Sequence, residues 1–236
     1  LNTDSLEVLN QKHKQDFNTA LNIYENDYSH EDLIKLLENG SIVEKQISAL
    51  KLDTINSTIE ADIFMSNLTG CDGKIREAVS FRLQEFTAKT PDFFTKHADK
   101  FLDAVIDING NICRNTISAI KYLKNDNKFC EEFCCKLIEK TDNLADIVSK
   151  FDIQDGKYKV NKEIFKLYWY LETIYEFSEF ISEIKLARLL AKTKNINEYT
   201  IREKTAKILT KNFQNDELLK IREELKQDKN YYVRRF

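Results

Sequence analysis

Ile47-Ser48-Ala49-Leu50-Lys51 and Ile117-Ser118-Ala119-Ile120-Lys121 are one five-residue pattern written twice, seventy residues apart. Midway between them runs Ile75-Arg76-Glu77-Ala78-Val79-Ser80-Phe81-Arg82-Leu83, a third segment of the same type. Self-similarity at a spacing of some tens of residues marks an architecture of repeated units. Aligned, the segments share apolar residues at offsets 0, +4, +8 and +11, which is one stripe of a helix with 3.6 residues per turn.

That template finds further copies along the chain. It is filled by Ile75, Val79, Leu83 and Phe86, by Ile112, Thr116, Ile120 and Leu123, and by Val160, Ile164, Tyr168 and Leu171. Ile201, Thr205 and Leu209 follow, Val233 starts another copy, and Ile42 is the first start. Successive starts lie 32 to 48 residues apart, the length of a helix pair. The longest interval has room for a longer first helix and the polar turn at 152–157. Each interval should therefore hold a preceding helix, expected near 31–38, 59–68, 91–106, 128–151, 181–192 and 217–227.

Start and stop signals support this division. Ser29 ahead of Asp32 resembles a capping box, and Thr90 before Pro91 places a hydroxyl ahead of proline at a first helical position. Asn39-Gly40 and Asn109-Gly110 read as helix ends or turns. The segment from Leu6 to Tyr24, with Leu6, Leu9, Phe17, Leu21 and Tyr24 apolar, reads as an N-terminal helix capping the stack. The expected organisation is a single domain over 1–236, with a capping helix at 1–28 and repeats at 29–57, 58–88, 90–124, 127–175, 180–213 and 214–236. One pair cannot bury its own apolar face, so neighbouring pairs must stack on a shared core.

Composition points the same way. The 236 residues are 42% hydrophobic, enough for a continuous core, and 32% charged with both signs mixed. Five glycines and one proline are too few for the turns of a sandwich, a barrel or a dinucleotide-binding α/β fold. A net charge of −3 gives no global attraction to phosphate backbones, so a nucleic-acid partner is not expected. No apolar run reaches the roughly 18 residues of a membrane span. The start lacks a signal-peptide pattern and the five cysteines form no disulfide framework, so reduced thiols and a cytoplasmic location are expected. The chain begins at Leu1, which leaves a removed targeting segment open.

At this point the repeats resemble the HEAT family, with an armadillo-like variant as the neighbouring possibility. In that family an acidic residue in the turn precedes an apolar–basic pair that opens the second helix. Here Asp107, Asp155 and Asp228 precede Ile112, Val160 and Val233 by five residues each, and Ile75-Arg76, Ile201-Arg202 and Val233-Arg234 supply the pair. The resemblance covers about 40–236 and is degenerate: Lys45 is displaced to +3, Arg114 and Lys162 sit at +2, and the proline of many first helices is missing. It implies an all-α, right-handed superhelical solenoid of about five to six helix pairs. It also implies a structural ladder in which Asp107, Asp155 and Asp228 bond to Arg76, Arg202 and Arg234 across successive turns.

No catalytic signature accompanies the repeats. His13, His30 and His97 stand apart in sequence, and no P-loop, dinucleotide fingerprint, zincin pair or nucleophile elbow occurs. Cys130 and Cys134 share a helix face, but a zinc site wants a second ligand pair and none is visible, so buried free thiols are the better reading. No catalytic residue, metal or cofactor is therefore expected.

Second helices line the concave side of such a solenoid, and the outward offsets +2, +6 and +9 place Lys51, Phe81, Lys121, Lys162, Lys166 and Trp169 there. Trp169 between Tyr168 and Tyr170 suits either a recognition hot spot or a core filler, and a lysine row is often only a solvated face. The leading expectation is a non-enzymatic scaffold that binds a protein or peptide on its concave face. The alternative, again by resemblance, is a HEAT-like DNA glycosylase for alkylated bases, for which Trp169 with Glu172 is the nearest match.

Overall fold

The computed structural model describes the backbone of residues 3–151 and 157–236, and the side chains of residues 5–151 and 161–236. Among the described residues there is no strand. The helices are α1 (Thr3–Glu25), α2 (His30–Asn39), α3 (Ile42–Lys51), α4 (Thr58–Leu68), α5 (Gly73–Lys89), α6 (Ala98–Ala104), α7 (Gly110–Ile120), α8 (Asn127–Val148), α9 (Lys157–Phe177), α10 (Glu183–Thr193), α11 (Tyr199–Ile208), α12 (Asp216–Leu225) and α13 (Tyr231–Arg234). Their contacts form two rows. The odd-numbered helices touch in succession from α1 to α13, and the even-numbered ones from α2 to α12. Pairs such as α2 with α3, α4 with α5 and α8 with α9 join the rows. The chain is thus all-α, held by helix–helix packing.

Short polar residues set the helix starts. Ser29 accepts from the Asp32 amide at 3.1 Å, and Ser41 forms a reciprocal capping box with Glu44. Asp72, Asn109, Asp126, Asn215 and Asn230 cap α5, α7, α8, α12 and α13 in the same manner. Each satisfies amides that the first turn leaves without partners. Two expectations are corrected. Thr90 does not cap Pro91, because its hydroxyl donates back to the Phe86 carbonyl at 3.2 Å. The stretch from Pro91 to His97 accordingly runs as two 3-10 turns, with the Phe94 ring fully buried, and α6 starts only at Ala98. Asn109-Gly110 opens α7 instead of ending a helix.

The core runs between the rows. Ile75, Val79, Leu83 and Phe86 of α5 are all buried, as are Ile112, Thr116 and Ile120 of α7, Leu123, Ile201 and Thr205 of α11, Leu209 and Val233. Phe86 meets Phe64 of α4 edge to face at 5.1 Å. Across α6, α8 and α9 the rings of Phe101, Phe129, Phe133 and Phe177 make a continuous chain. Three readings of the stripe fail. Ile42, at the first turn of α3, is exposed. In α9 the buried residues among those described are Leu167, Trp169, Tyr170, Leu171, Thr173, Ile174 and Phe177, while Ile164 and Tyr168 are only partly covered and the Val160 side chain lies outside the described residues; α9 packs on α8 and α11 together, so more of its circumference is buried and the template's phase is lost. In α1 the apolar set Leu6, Leu9, Phe17, Leu21 and Tyr24 faces solvent, and Ile23 anchors the helix instead.

Arginines strap successive turns together. Arg76 donates through Nη1 to the carbonyls of Gly70 and Cys71 in its own turn, and through Nε to Asp107 in the next at 2.6 Å. Arg202 repeats this, bonding Ile196 and Asn197 in its own turn and Asp228 in the next at 2.6 Å. Asp107 and Asp228 also accept the amides of Asn109 and Asn230, so each carboxylate organises its own turn as well. Arg234 bonds the Asp228 carbonyl of its own turn. Asp155 lies outside the described residues. Arg114 does not join the ladder. Cys113 occupies the position equivalent to Arg76, four residues after the cap, and its thiol reaches only the Asp107 carbonyl at 3.1 Å.

The Arg202 side chain is only 7% exposed, so its removal strands Asp228 and two carbonyls in a buried site. Arg202→Met is expected to cost about 3 kcal/mol in urea unfolding, the range for breaking a buried pair. Cys113→Ser, which keeps a donor for the same carbonyl, is expected to cost under about 1 kcal/mol.

Candidate functional site

The odd-numbered row carries every residue expected to face a partner, but it places them unequally. Phe81 on α5 is 69% exposed and packs into nothing. One turn further along, Gln84 reaches the Tyr122 hydroxyl at 3.5 Å, so a second partly exposed ring lies at the end of α7 close to the same surface. Lys121 pairs with Glu176 of α9 at 3.0 Å. Lys51 turns inward: its ammonium takes the carbonyls of Ile23, Tyr24 and Asn26 at the end of α1, a helix-capping role favoured by the negative end of the helix dipole.

Trp169 is not part of the exposed row. It is 9% exposed, its ring packs edge-on against Phe165 at 6.1 Å and Tyr168 at 5.4 Å, and its indole N–H has no acceptor among the described residues. A side chain added at Gly110 would meet its ring edge at 3.5 Å, so the start of α7 sits close upon it. Because α9 is rotated from the phase of the template, the residue that the spacing sends outward is the one the fold covers.

The face that α9 does present is an alternation of rings and charges against α11. Lys204 donates to Glu172 at 2.7 Å and stands 4.3 Å over the Tyr168 ring. Lys207 donates to the other oxygen of Glu172 at 2.5 Å and stands 4.3 Å over Tyr175, with Lys211 on the same ring at 4.4 Å. Burial pushes the Glu172 carboxyl upward, but the two lysine hydrogen bonds outweigh it and hold it below its usual range. Nearby, Lys124 binds Glu179 at 2.6 Å and Lys166 binds Glu163 at 3.0 Å. Lys211 has no carboxylate partner and Lys162 no partner of any kind among the described residues. This belt of rings and lysines, continuous from α9 to α11, was missed in the sequence because Tyr168 read as a core position. Its signal was the helical spacing of three and four residues within Tyr168, Glu172 and Tyr175 and within Lys204, Lys207 and Lys211.

His30 and His97 are tied down or buried, as are three of the five cysteines, while Cys71 and Cys135 are exposed. His30 is tied to Glu60 at 2.9 Å and to Asn56 at 3.1 Å. His97 is buried, and burial outweighs the pull of Asp62, lowering its pKa to about 4, so it is neutral at pH 7. Cys113 and Cys134 are pushed up to about 12, chiefly by burial, which makes them poor nucleophiles. Cys130 is raised for the same reason. No cluster of three potential metal ligands occurs among the described residues, and no described helix is long and apolar enough to cross a membrane.

Two measurements check these placements. Trp169→Ala is expected to cost about 3 kcal/mol of unfolding free energy, as for large core rings, because the fold covers the indole. For His97, the folded pKa lies below that of the unfolded chain. Stability contributed by the neutral ring is therefore full above about pH 6.5 and falls as pH drops towards about 4. His97→Gln should remove about 1–3 kcal/mol of that slope in unfolding measured between those limits.

Compared with protein-family models, with curated proteins and with solved structures, the chain matches none of them.

Proposed function

We propose that this chain is a non-enzymatic scaffold that binds a protein or peptide, built as a right-handed, HEAT- or armadillo-like solenoid whose odd-numbered helices line the binding face. The two contact rows and the repeated Arg76–Asp107 and Arg202–Asp228 straps support the architecture. The observation that carries the function is Phe81, a large ring left in water on a helix whose other large apolar residues are buried. Beside it runs a surface of rings and lysines that includes Tyr122, Lys121, Tyr168, Tyr175, Lys204, Lys207 and Lys211. Aromatic rings ringed by polar groups are the composition of recognition surfaces, where they contribute large contact area at low entropic cost.

The glycosylase alternative is less well supported. Its two nearest candidates are engaged elsewhere, Trp169 in packing and Glu172 in bonds to two lysines.

The test is capture of partners on the immobilised chain at physiological salt, comparing wild type with Phe81→Asp and Lys121→Glu, each checked by circular dichroism. A discrete set of bound proteins that is lost on Phe81→Asp, with helicity unchanged, supports the reading. Binding that both substitutions leave intact contradicts it. Salt-sensitive binding of duplex DNA would favour the nucleic-acid alternative.

A further inference from the structure

Between the turn before α7 and the first half of α9 opens a cleft of about 230 Å³, lined by Ile106, Ile108, Asn161, Lys162, Phe165 and Lys166. It lies where the stack is loosest. The odd-numbered helices pack along their lengths from α3 to α7 and again from α9 to α11, but α7 meets α9 over a short stretch only. The position held by Arg76 in α5 and Arg202 in α11 is Cys113 in α7, whose thiol reaches the Asp107 carbonyl of its own turn.

Its chemistry is specific. Ile106, Ile108 and Phe165 make apolar walls, and Ile108 is 73% exposed. The ammonium of Lys166 is neutralised by Glu163 at 3.0 Å, whereas Lys162, one turn earlier, has no partner among the described residues. The cleft thus carries one uncompensated positive charge beside an apolar slot, with the Asn161 amide able to donate and accept at its edge. The volume lies below the roughly 300–1,000 Å³ of sites that enclose a whole small ligand. It suits one large side chain of a longer molecule.

We propose that this cleft is an anchor site for a short acidic–apolar peptide segment of a partner protein. A leucine or phenylalanine side chain enters between Ile106, Ile108 and Phe165, and a neighbouring carboxylate pairs with Lys162. The proposal rests on the reading of the chain as a binding protein and names the chemistry of its partner. It adds a site distinct from Phe81, on the neighbouring helix pairs.

The only tryptophan, Trp169, packs on Phe165 and so reports on the cleft without being altered. The experiment titrates the chain with two synthetic peptides, acetyl-Asp-Leu-Phe-Asp-amide and its neutral analogue acetyl-Asn-Leu-Phe-Asn-amide. Binding is followed by the indole N–H resonance of Trp169 and by its fluorescence. The acidic peptide is expected to shift the resonance saturably and to bind about tenfold more tightly than the neutral one, with the difference shrinking as salt rises. Lys162→Glu and Ile108→Ser, both at exposed positions, should each weaken it by about tenfold while the circular dichroism spectrum stays unchanged. An indole resonance that does not move, equal binding of the two peptides, or binding that survives both substitutions overturns the proposal. Loss of the cleft alone, with Phe81-dependent capture intact, leaves the scaffold reading standing; loss of both removes it.

Discussion

An amphipathic helix of ten to seventeen residues has one apolar stripe to hide, and a helix pair that hides one against the other still has apolar surface left over. Everything in this chain follows from disposing of that surplus on the neighbouring pair. α5 shows it most plainly: Ile75, Val79, Leu83 and Phe86 are buried, and the helices that cover them include α3 and α7 of the flanking pairs. Fully burying such a side chain is worth about 1.5–3 kcal/mol, so four of them outweigh any single polar contact in the repeat. The arginine straps act on top of this, fixing how one turn sits against the next. Where Cys113 replaces the arginine, the second row takes over, through the chain of rings from Phe101 to Phe177.

The helical character and the spacing of the pairs were legible because apolar periodicity is a local signal, and the capping residue Ser29 is local too. The Arg76–Asp107 and Arg202–Asp228 bonds could be anticipated only through a family resemblance, since nothing in a sequence says that residues some thirty positions apart meet across neighbouring turns. Less legible was anything decided by more than one neighbour. The phase of α9 changed because α8, the 22-residue helix, and α11 both pack on it, and Trp169 went from the outward row to the interior with that rotation. Lys51 looked like a member of a solvent row and is a cap for α1. The exposure of the α1 stripe was invisible for the opposite reason: periodicity states which residues share a face, and not whether anything covers it.

The proposed site has the same origin. A repeat architecture commits its stripes to stacking, which leaves the remaining faces free to vary, and there the chain carries Phe81, the lysine–tyrosine belt on α9 and α11, and the gap beside Lys162. The belt is largely self-satisfied, with Glu172 shared by Lys204 and Lys207, so it orders the surface and joins two helices. Residues without partners, Phe81 and Lys162 among them, are where added free energy from a partner is available. Burial keeps His97 neutral at pH 7 and the thiols of Cys113 and Cys134 protonated.

The central claim is that neighbouring pairs share one core and cannot stand without each other. It is tested most directly by equilibrium urea unfolding followed with two probes: Trp169 fluorescence, which reports α9 in the interior of the stack, and far-ultraviolet circular dichroism, which reports every helix. One transition with the same midpoint and slope by both probes is the result the shared core requires. Helicity lost in two stages, with a block of pairs melting while the Trp169 signal stays native, would contradict it.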